Sequence, residues 1–230
     1  MKKKTTLLTD VWKNEIIQLL PKLGRARLIP LNKVWPGVPG PEDFRPITVL
    51  SHMFKWLESR FLPKLNRYLL ERMQPEQTGF VPYFGTQVNI RRIVNCIKNH
   101  KKSDNKILLF IDYKAAYNTV NRKILYQRLR DKNILNENEI QFIQCLHSHI
   151  HYKCENDIYY YENGVPQGSM TSPALFDIYS EIMIENIREK YKDIIIFAYA
   201  DDMAFILDKC NENEFIKYNF ERRLNLKQNK

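Results

Sequence analysis

Three aspartates carry the chemistry open to this sequence. Asp201 and Asp202 stand side by side in IIIFAYADDMAFIL (194–207), between two apolar runs, and Asp112 closes a third apolar run, KILLFID (106–112). Neighbouring side chains of a flat strand point to opposite faces. The pair can therefore serve one ligand only if the chain bends at Tyr199-Ala200-Asp201-Asp202, and a hairpin tip there would bring both carboxylates to the edge of a sheet. Adjacent carboxylates repel, and one tends to take up a proton. A divalent cation removes that penalty, and oxygen-only donors suit Mg²⁺, which keeps waters and accepts substrate phosphates as further ligands. An isolated Asp-Asp is most often a polar β-turn; Asp112 shifts that balance. If strands 107–112 and 194–199 pair in one sheet, Asp112 and Asp201 converge from adjacent strand ends. Three carboxylates at one edge make a site for two metal ions about 3.5–4 Å apart, able to activate an attacking hydroxyl and hold a leaving phosphate.

Helices and strands must hold those acids in place. Residues 24–47 contain five prolines interleaved with basic residues, which implies extended chain and loop. Ser51 is placed to cap a helix that carries Phe54, Leu57, Phe61, Leu65, Tyr68 and Leu69 at helical spacing, kinked at Pro63. A second helix is expected over 86–100 with Val88, Ile93 and Ile97 inward. KILLFID is expected as a buried strand. Helices follow over 119–132 and 137–151, the latter striped by Ile140, Ile143, Leu146 and Ile150. Residues 151–168 suggest a short hairpin and a glycine-bearing loop. Ser172-Pro173 has the form of an N-cap followed by proline at the first helical position, leading a helix through Leu175, Ile178, Ile182 and Ile187. The hairpin 194–199/203–207 and a polar helix over 211–224 complete the chain. Helices alternate irregularly with widely separated strands, so the fold class is α+β.

Composition sets outer bounds. The 230 residues have 44% apolar content, enough for one domain or two small subdomains. There is no apolar run of membrane-spanning length, and the basic start MKKKTTLLTDVW has no signal-peptide core. The expectation is an intracellular protein, in nucleus or organelle, with no membrane partner. Cys96, Cys145, Cys154 and Cys210 form no CxxC pair, so reduced thiols are expected. The net charge of +10 suits a polyanionic partner such as nucleic acid, although the abundance of Lys, Asn, Ile and Tyr also fits an AT-rich coding bias.

Six segments in order resemble the reverse transcriptase family. FIDYKAAYNTV (110–120), GVPQGSMTSPALFDIY (164–179) and FAYADD (197–202) resemble its three catalytic motifs. IPLNK (29–33), FRPITVLS (44–51) and QTGF (77–80) resemble its fingers motifs. The wording is most similar to non-LTR retrotransposon enzymes, then to group II intron enzymes, over roughly residues 25–230. The resemblance implies a right-hand polymerase: an N-terminal extension at 1–24, fingers at 25–105, and a palm at 106–230 with finger-side helices about 119–151. It implies an antiparallel palm sheet packed on helices.

Carried over residue by residue, Asp112 and Asp201 would be the principal metal ligands and Asp202 the auxiliary acid, with the Tyr113 carbonyl also in reach of a metal. The implied cofactor is two Mg²⁺ ions, with Mn²⁺ as a substitute. Tyr117 matches the bulky residue beneath the sugar, where a ring collides with a ribose 2′-hydroxyl; ordinary core packing is its plainer reading. Gln167 and Gly168 match the second motif, where glycine lets backbone approach nucleotide or template closely, as any loop glycine would. Lys33 and Arg45 match fingers residues that hold the triphosphate; either alone would read as a solvated charge. Arg27 is a weaker phosphate candidate. The implied partners are an RNA template, a DNA or RNA primer and dNTP.

Two departures stand out. Asn118 replaces an Asp common in relatives, outside the three metal carboxylates, so activity is expected to survive. RRLNLKQNK (222–230) resembles the start of the fourth palm motif and then stops, with no thumb, endonuclease, maturase or RNase H segment after it. The expectation is a truncated palm: a fragment, a degraded gene, or half of a split enzyme that needs a thumb-bearing chain. Two further readings stay open, a catalytically incompetent RNA-binding or structural derivative and an RNA-directed RNA polymerase. YADD, PQG and Tyr117 weigh against the second of these.

Overall fold

The computed structural model describes residues 10–40, 43–99, 106–113 and 115–217. After helix α1 (Asp10–Leu23), strands β1 (Arg25–Asn32) and β2 (Phe44–Val49) form an antiparallel hairpin. The proline-rich stretch is thus extended, as its composition requires, and it is also paired. Pro30 faces Pro46 in the ladder, a position that needs no N–H. The pairing tolerates this because β2 is an edge strand and β1 meets β4 only through Arg25 and Ala26.

Ser51 caps α2 (His52–Ser59), its hydroxyl accepting from the Phe54 N–H at 3.2 Å. Pro63 does more than kink the next stretch: the helix breaks, and α3 (Leu62–Glu71) restarts with the proline in its first turn. In α4 (Thr86–Asn99) the inward face is Asn89, Ile93 and Cys96, while Ile97 is exposed, contrary to the apolar spacing. The buried Asn89 amide donates to the Ala198 carbonyl at 2.9 Å and so takes the inward place.

Strand β3 (Lys106–Asp112) leads to a short helical turn, α5 (Ala116–Thr119), then to α6 (Arg122–Asp131) and α7 (Glu137–Ser148). The helix expected from 119 therefore begins at 122, where Asn121 caps it, and Asn136 with Glu139 makes a capping box for α7. Strands β4 (His151–Cys154) and β5 (Asp157–Tyr160) form the expected hairpin. Helix α8 (Ser172–Lys190) has Pro173 in its first turn, but its N-cap is Thr171, one residue before the serine expected there. Strands β6 (Ile195–Tyr199) and β7 (Asp202–Asp208) follow, then a 3₁₀ turn and helix over 212–217. Residues 218–230, with RRLNLKQNK, lie outside the described residues.

Among the described residues the strands form two sheets, in orders β2-β1-β4-β5 and β3-β7-β6. The second is antiparallel and covered on both faces. Met203, Phe205 and Leu207 pack on Ile184 and Ile187 of α8, and Ala204 and Ile206 pack toward Ile93 of α4. The central strand is accordingly almost continuously apolar. The edge strand β3 is only half-buried, with Phe110 70% exposed, rather than the buried strand its apolar run suggests. The main core lies among α2, α3, α6, α7 and α8. No described helix is long and apolar enough to cross a membrane.

Candidate active site

The hairpin between β6 and β7 turns on two residues, Ala200 and Asp201, with Tyr199 paired to Asp202. Ala200 takes φ +55°, which tightens the reversal. The bend that two adjacent aspartates need is therefore present. Strand β3 pairs with β7, placing Asp112 directly opposite Asp202. The sequence reading had Asp112 and Asp201 arriving on adjacent strands; instead β7 lies between β3 and β6, and the ladder partner of Asp112 is Asp202. Cα atoms so opposed lie about 4.5–5.5 Å apart and their side chains share a face, here that of Phe110 and Ala204. Asp112 and Asp202 are exposed, and Asp201 is half-buried in the turn.

Burial chiefly raises the Asp201 carboxyl above its ordinary range. The negative charges of Asp202 and Asp112 add to this, against a backbone hydrogen bond and the Arg45 guanidinium. Asp112, Asp202 and Arg45 thus all act on Asp201. Among the described residues no three His, Cys, Asp or Glu side chains form a ready-made metal cage. Mg²⁺ needs only one or two carboxylates alongside waters and phosphates. An exposed oxygen-only pair, with a third carboxyl disfavoured as an anion by burial first and by its acidic neighbours second, fits that donor set.

The other candidates fall into three places. Lys33 and Arg45 lie at the loop end of the β1–β2 hairpin, both exposed, with the Lys33 N–H donating to the Asp43 carbonyl at 2.9 Å. Arg27 shares the face of Arg45 but sits four ladder positions away, on the order of 13 Å along the strand. It lines a separate groove with Arg25, Lys153 and Tyr159, so it is not grouped with Lys33 and Arg45. Tyr113 directly follows β3, its side chain packed against both the main core and the sheet core.

Tyr117 stacks on Phe176 at 4.7 Å between centroids. Burial, then Asp177 and Asp201, raise its hydroxyl pKa. It is packed and also within electrostatic reach of the acidic turn. The Gln167 carbonyl accepts from the Thr48 N–H at 2.6 Å. Gly168, at φ +118°, approaches β2 so closely that a Cβ would lie 2.3 Å from the Thr48 carbonyl oxygen. Its close approach is to the hairpin backbone. Asn118 accepts from the Tyr161 hydroxyl at 3.1 Å, a packing role.

Residues 32–227 match the family model described as reverse transcriptase (RNA-dependent DNA polymerase). The chain belongs to the reverse transcriptase family. It is 27% identical over 179 residues to the RNA-directed DNA polymerase from mobile element jockey of Drosophila funebris, covering 72% of this chain and 19% of that protein. It is 26% identical over 219 residues to the probable RNA-directed DNA polymerase from transposon BS of Drosophila melanogaster, covering 85% and 23%. The chain thus spans about a fifth of the length of these curated relatives. Apo telomerase from Candida tropicalis superimposes with TM-score 0.61 at 15% identity, over 89% of this chain and 42% of that one. Telomerase from Candida albicans in complex with a fragment of telomeric RNA gives TM-score 0.58 at 12% identity, over 86% and 39%. These likenesses bear out the α+β fingers-and-palm fold.

Three residues of this chain were not singled out from the sequence. Glu58 is fully buried and accepts from the Ser169 hydroxyl, from the Met170 N–H at 3.1 Å and from the Thr171 hydroxyl at 3.2 Å. It ties the second catalytic motif to α2. Burial pushes its carboxyl up, against those hydrogen bonds. The available signal was an acid four residues after Phe54, on the stripe that faces the core. Asp177 is fully buried with no hydrogen-bond partner for either oxygen. Burial, then Asp201, hold its carboxyl well above the ordinary range. Its signal was a carboxylate amid Leu175, Phe176 and Ile178. Gln77 lies in a quoted motif, but no periodicity marks it.

Proposed function

We propose that this chain is the nucleotidyl-transfer core of a retroelement RNA-directed DNA polymerase. The observation that carries the reading is the register that sets Asp112 opposite Asp202, with Asp201 in the adjoining turn and Arg45 within electrostatic reach. Residues 25–105 act as fingers and 106–230 as palm. A primer 3′-hydroxyl attacks the α-phosphorus of a dNTP on an RNA template and gives up its proton to water; the bond from the α-phosphorus to the α,β-bridging oxygen breaks and pyrophosphate leaves. Bound divalent ions supply charge neutralisation and lower the pKa of the attacking hydroxyl.

The chain's own residues position the reactants. Asp112 and Asp201 would hold the ions, assisted by Asp202 and the Tyr113 carbonyl. Lys33 and Arg45 neutralise the triphosphate from the hairpin, Lys as a mobile point charge and Arg as a planar fork. Tyr117, braced by Phe176, fills the space a 2′-hydroxyl would need. Gln167 and Gly168, locked against Thr48, form the surface under the incoming nucleotide. The net charge of +10 favours the nucleic-acid partners.

The test is primer extension by the full polypeptide that carries these residues. Template- and Mg²⁺-dependent dNTP addition should fall about 10³-fold or more in Asp112→Ala and Asp201→Ala, with primer–template affinity retained. Salt-sensitive RNA binding without incorporation by the intact protein would make it a binding derivative instead. A strong preference for rNTP would make it an RNA polymerase.

A further inference from the structure

The turn that carries Asp201 rests on one buried side chain. Gln77 is 3% exposed, and its amide uses both faces. Its Oε1 accepts from the Ala200 N–H at 2.9 Å and the Gly79 N–H at 3.0 Å. Its Nε2 donates to the Ala200 carbonyl at 3.1 Å and to Ser180 Oγ at 3.2 Å. Two donors and two lone pairs are the full capacity of an amide, and all are engaged. The Ala200 backbone is held at both its N–H and its C=O by the same group.

Ala200 needs such a hold. Its φ of +55° is a region that L-residues with a Cβ seldom enter, and such conformations persist where the surroundings over-determine them. The neighbouring backbone completes the clamp. Gln77 bridges Ala198 in parallel, the Thr78 N–H donates to the Ala198 carbonyl at 2.9 Å, and the Ala198 N–H donates to the Glu76 carbonyl at 2.9 Å. At Gly79 a Cβ would meet the Ala200 nitrogen at 2.1 Å, so only glycine lets this segment lie so close to the turn. Ser180, the fourth partner, belongs to α8, one helical turn beyond Asp177.

We propose that Gln77 is the positioning residue of the acidic turn, fixing the Ala200 peptide groups and through them the direction of the Asp201 and Asp202 carboxylates. The inference rests on the polymerase reading for its consequence and on the hydrogen bonds for its geometry. Gln77 touches none of the three acids and adds no charge. What it supplies is a neutral group of fixed length that donates and accepts at once. Methionine has similar volume and can do neither, so Gln77→Met isolates the hydrogen bonding from the packing.

Two measurements on the full polypeptide test this. In Gln77→Met, metal-free amide exchange across Ala200–Asp202 should rise about ten-fold or more while Met203–Leu207 stays protected. The Mg²⁺ concentration for half-maximal single-turnover dNTP addition should rise about ten-fold, as for loss of an outer-shell group, with the dNTP KM within about two-fold. An unchanged turn overturns the proposal, as does equal loss of protection along the whole of β7, which would mean plain destabilisation. Should Gln77→Met fail to fold, Ser180→Ala removes one of the four bonds and should move both readings the same way, about two- to three-fold; no movement overturns the proposal. If the unaltered protein adds no dNTP, the polymerase reading falls, and the exchange measurement still decides whether Gln77 holds the turn.

Discussion

The two sheets answer different physical demands. Strand β7 runs from exposed Asp202 through five consecutive buried residues, Met203–Leu207, with helices on both faces. A one-residue slip there would exchange the Met203, Phe205 and Leu207 set packed on α8 with the smaller Ala204 and Ile206 set packed toward α4 and spoil the packing on both faces, so the register is fixed, and with it the Asp112–Asp202 opposition. Strand β5 has four exposed residues and β1 one buried residue in eight. That sheet leaves Arg25, Arg27, Lys153 and Tyr159 around an open groove of about 470 Å³. One sheet uses burial to aim charge at its end; the other spends its surface on solvent and basic groups. The acids are placed by the sheet with the more buried central strand, and Arg25, Arg27, Arg45 and Lys153 ride on the sheet with the more exposed strands.

The sharpest way to break that contrast is to weaken each sheet by one aromatic ring. Phe205 is fully buried between Phe215 and the α8 face; Phe205→Ala should cost about 3–5 kcal/mol, cavity included. Tyr159, 57% exposed on β5, should cost about 0.5 kcal/mol or less as Tyr159→Ala. Urea titration of the two variants measures the difference. Comparable losses would mean that the open sheet is as structurally committed as the buried one.

The same contrast explains what could be read in advance. Strands β3, β6 and β7 and the turn at Ala200-Asp201 were legible because apolar runs broken by acids are uncommon in a core. Helices α2 and α7 were legible from their stripes, α2 also from Ser51, whereas the Asn121 cap that starts α6 at residue 122 was not. Strand order was not legible: nothing in the sequence chooses between β3–β6 and β3–β7 pairing, since all three strands carry similar apolar runs. Nor was the orientation of α4, because the residue that turned it is a polar Asn89 satisfied by a distant carbonyl. Glu58, Gln77 and Asp177 were hidden for a related reason. Each is polar and buried; Glu58 and Gln77 are hydrogen-bonded to groups far away in sequence, and Asp177 has no hydrogen-bond partner at all, none of which periodicity can detect.

A smaller effect concerns the helices that carry the chain from one sheet to the other. His147 on α7 is 1% exposed, with Nδ1 at 2.8 Å from the Tyr126 hydroxyl and no partner for Nε2. Burial, reinforced by the Arg122 charge, pushes its pKa down from 6.5 to about 3. A base whose folded pKa lies below its unfolded value contributes stability that is complete above the unfolded value and is lost as pH falls toward the folded one. Between pH 7 and pH 5 this amounts to about 2 kcal/mol. The urea midpoint of the unaltered protein should fall over that range, and that of His147→Gln should fall less. Parallel declines would assign the acid sensitivity elsewhere, for example to the two sheets themselves.

The smallest effect tests whether the open sheet's cations do what its exposure suggests. Arg27 is exposed, and Arg27→Ala should change stability by about 0.5 kcal/mol or less. If its groove takes single-stranded template, the same substitution should weaken RNA binding and reduce the slope of log K against log salt by about 0.7, one phosphate contact. The matched control lies on the buried sheet. Lys106 pairs with Asp208 at 3.1 Å across the ladder, so its charge is already compensated by a neighbour, and Lys106→Ala should leave the salt slope where it was. A surface cation counts toward a polyanion only to the extent that no carboxylate already holds it. Equal slopes for the two variants would therefore mean that the basic character belongs to the whole molecule rather than to one sheet, and the division of labour between the sheets would fail at the point where it is easiest to measure.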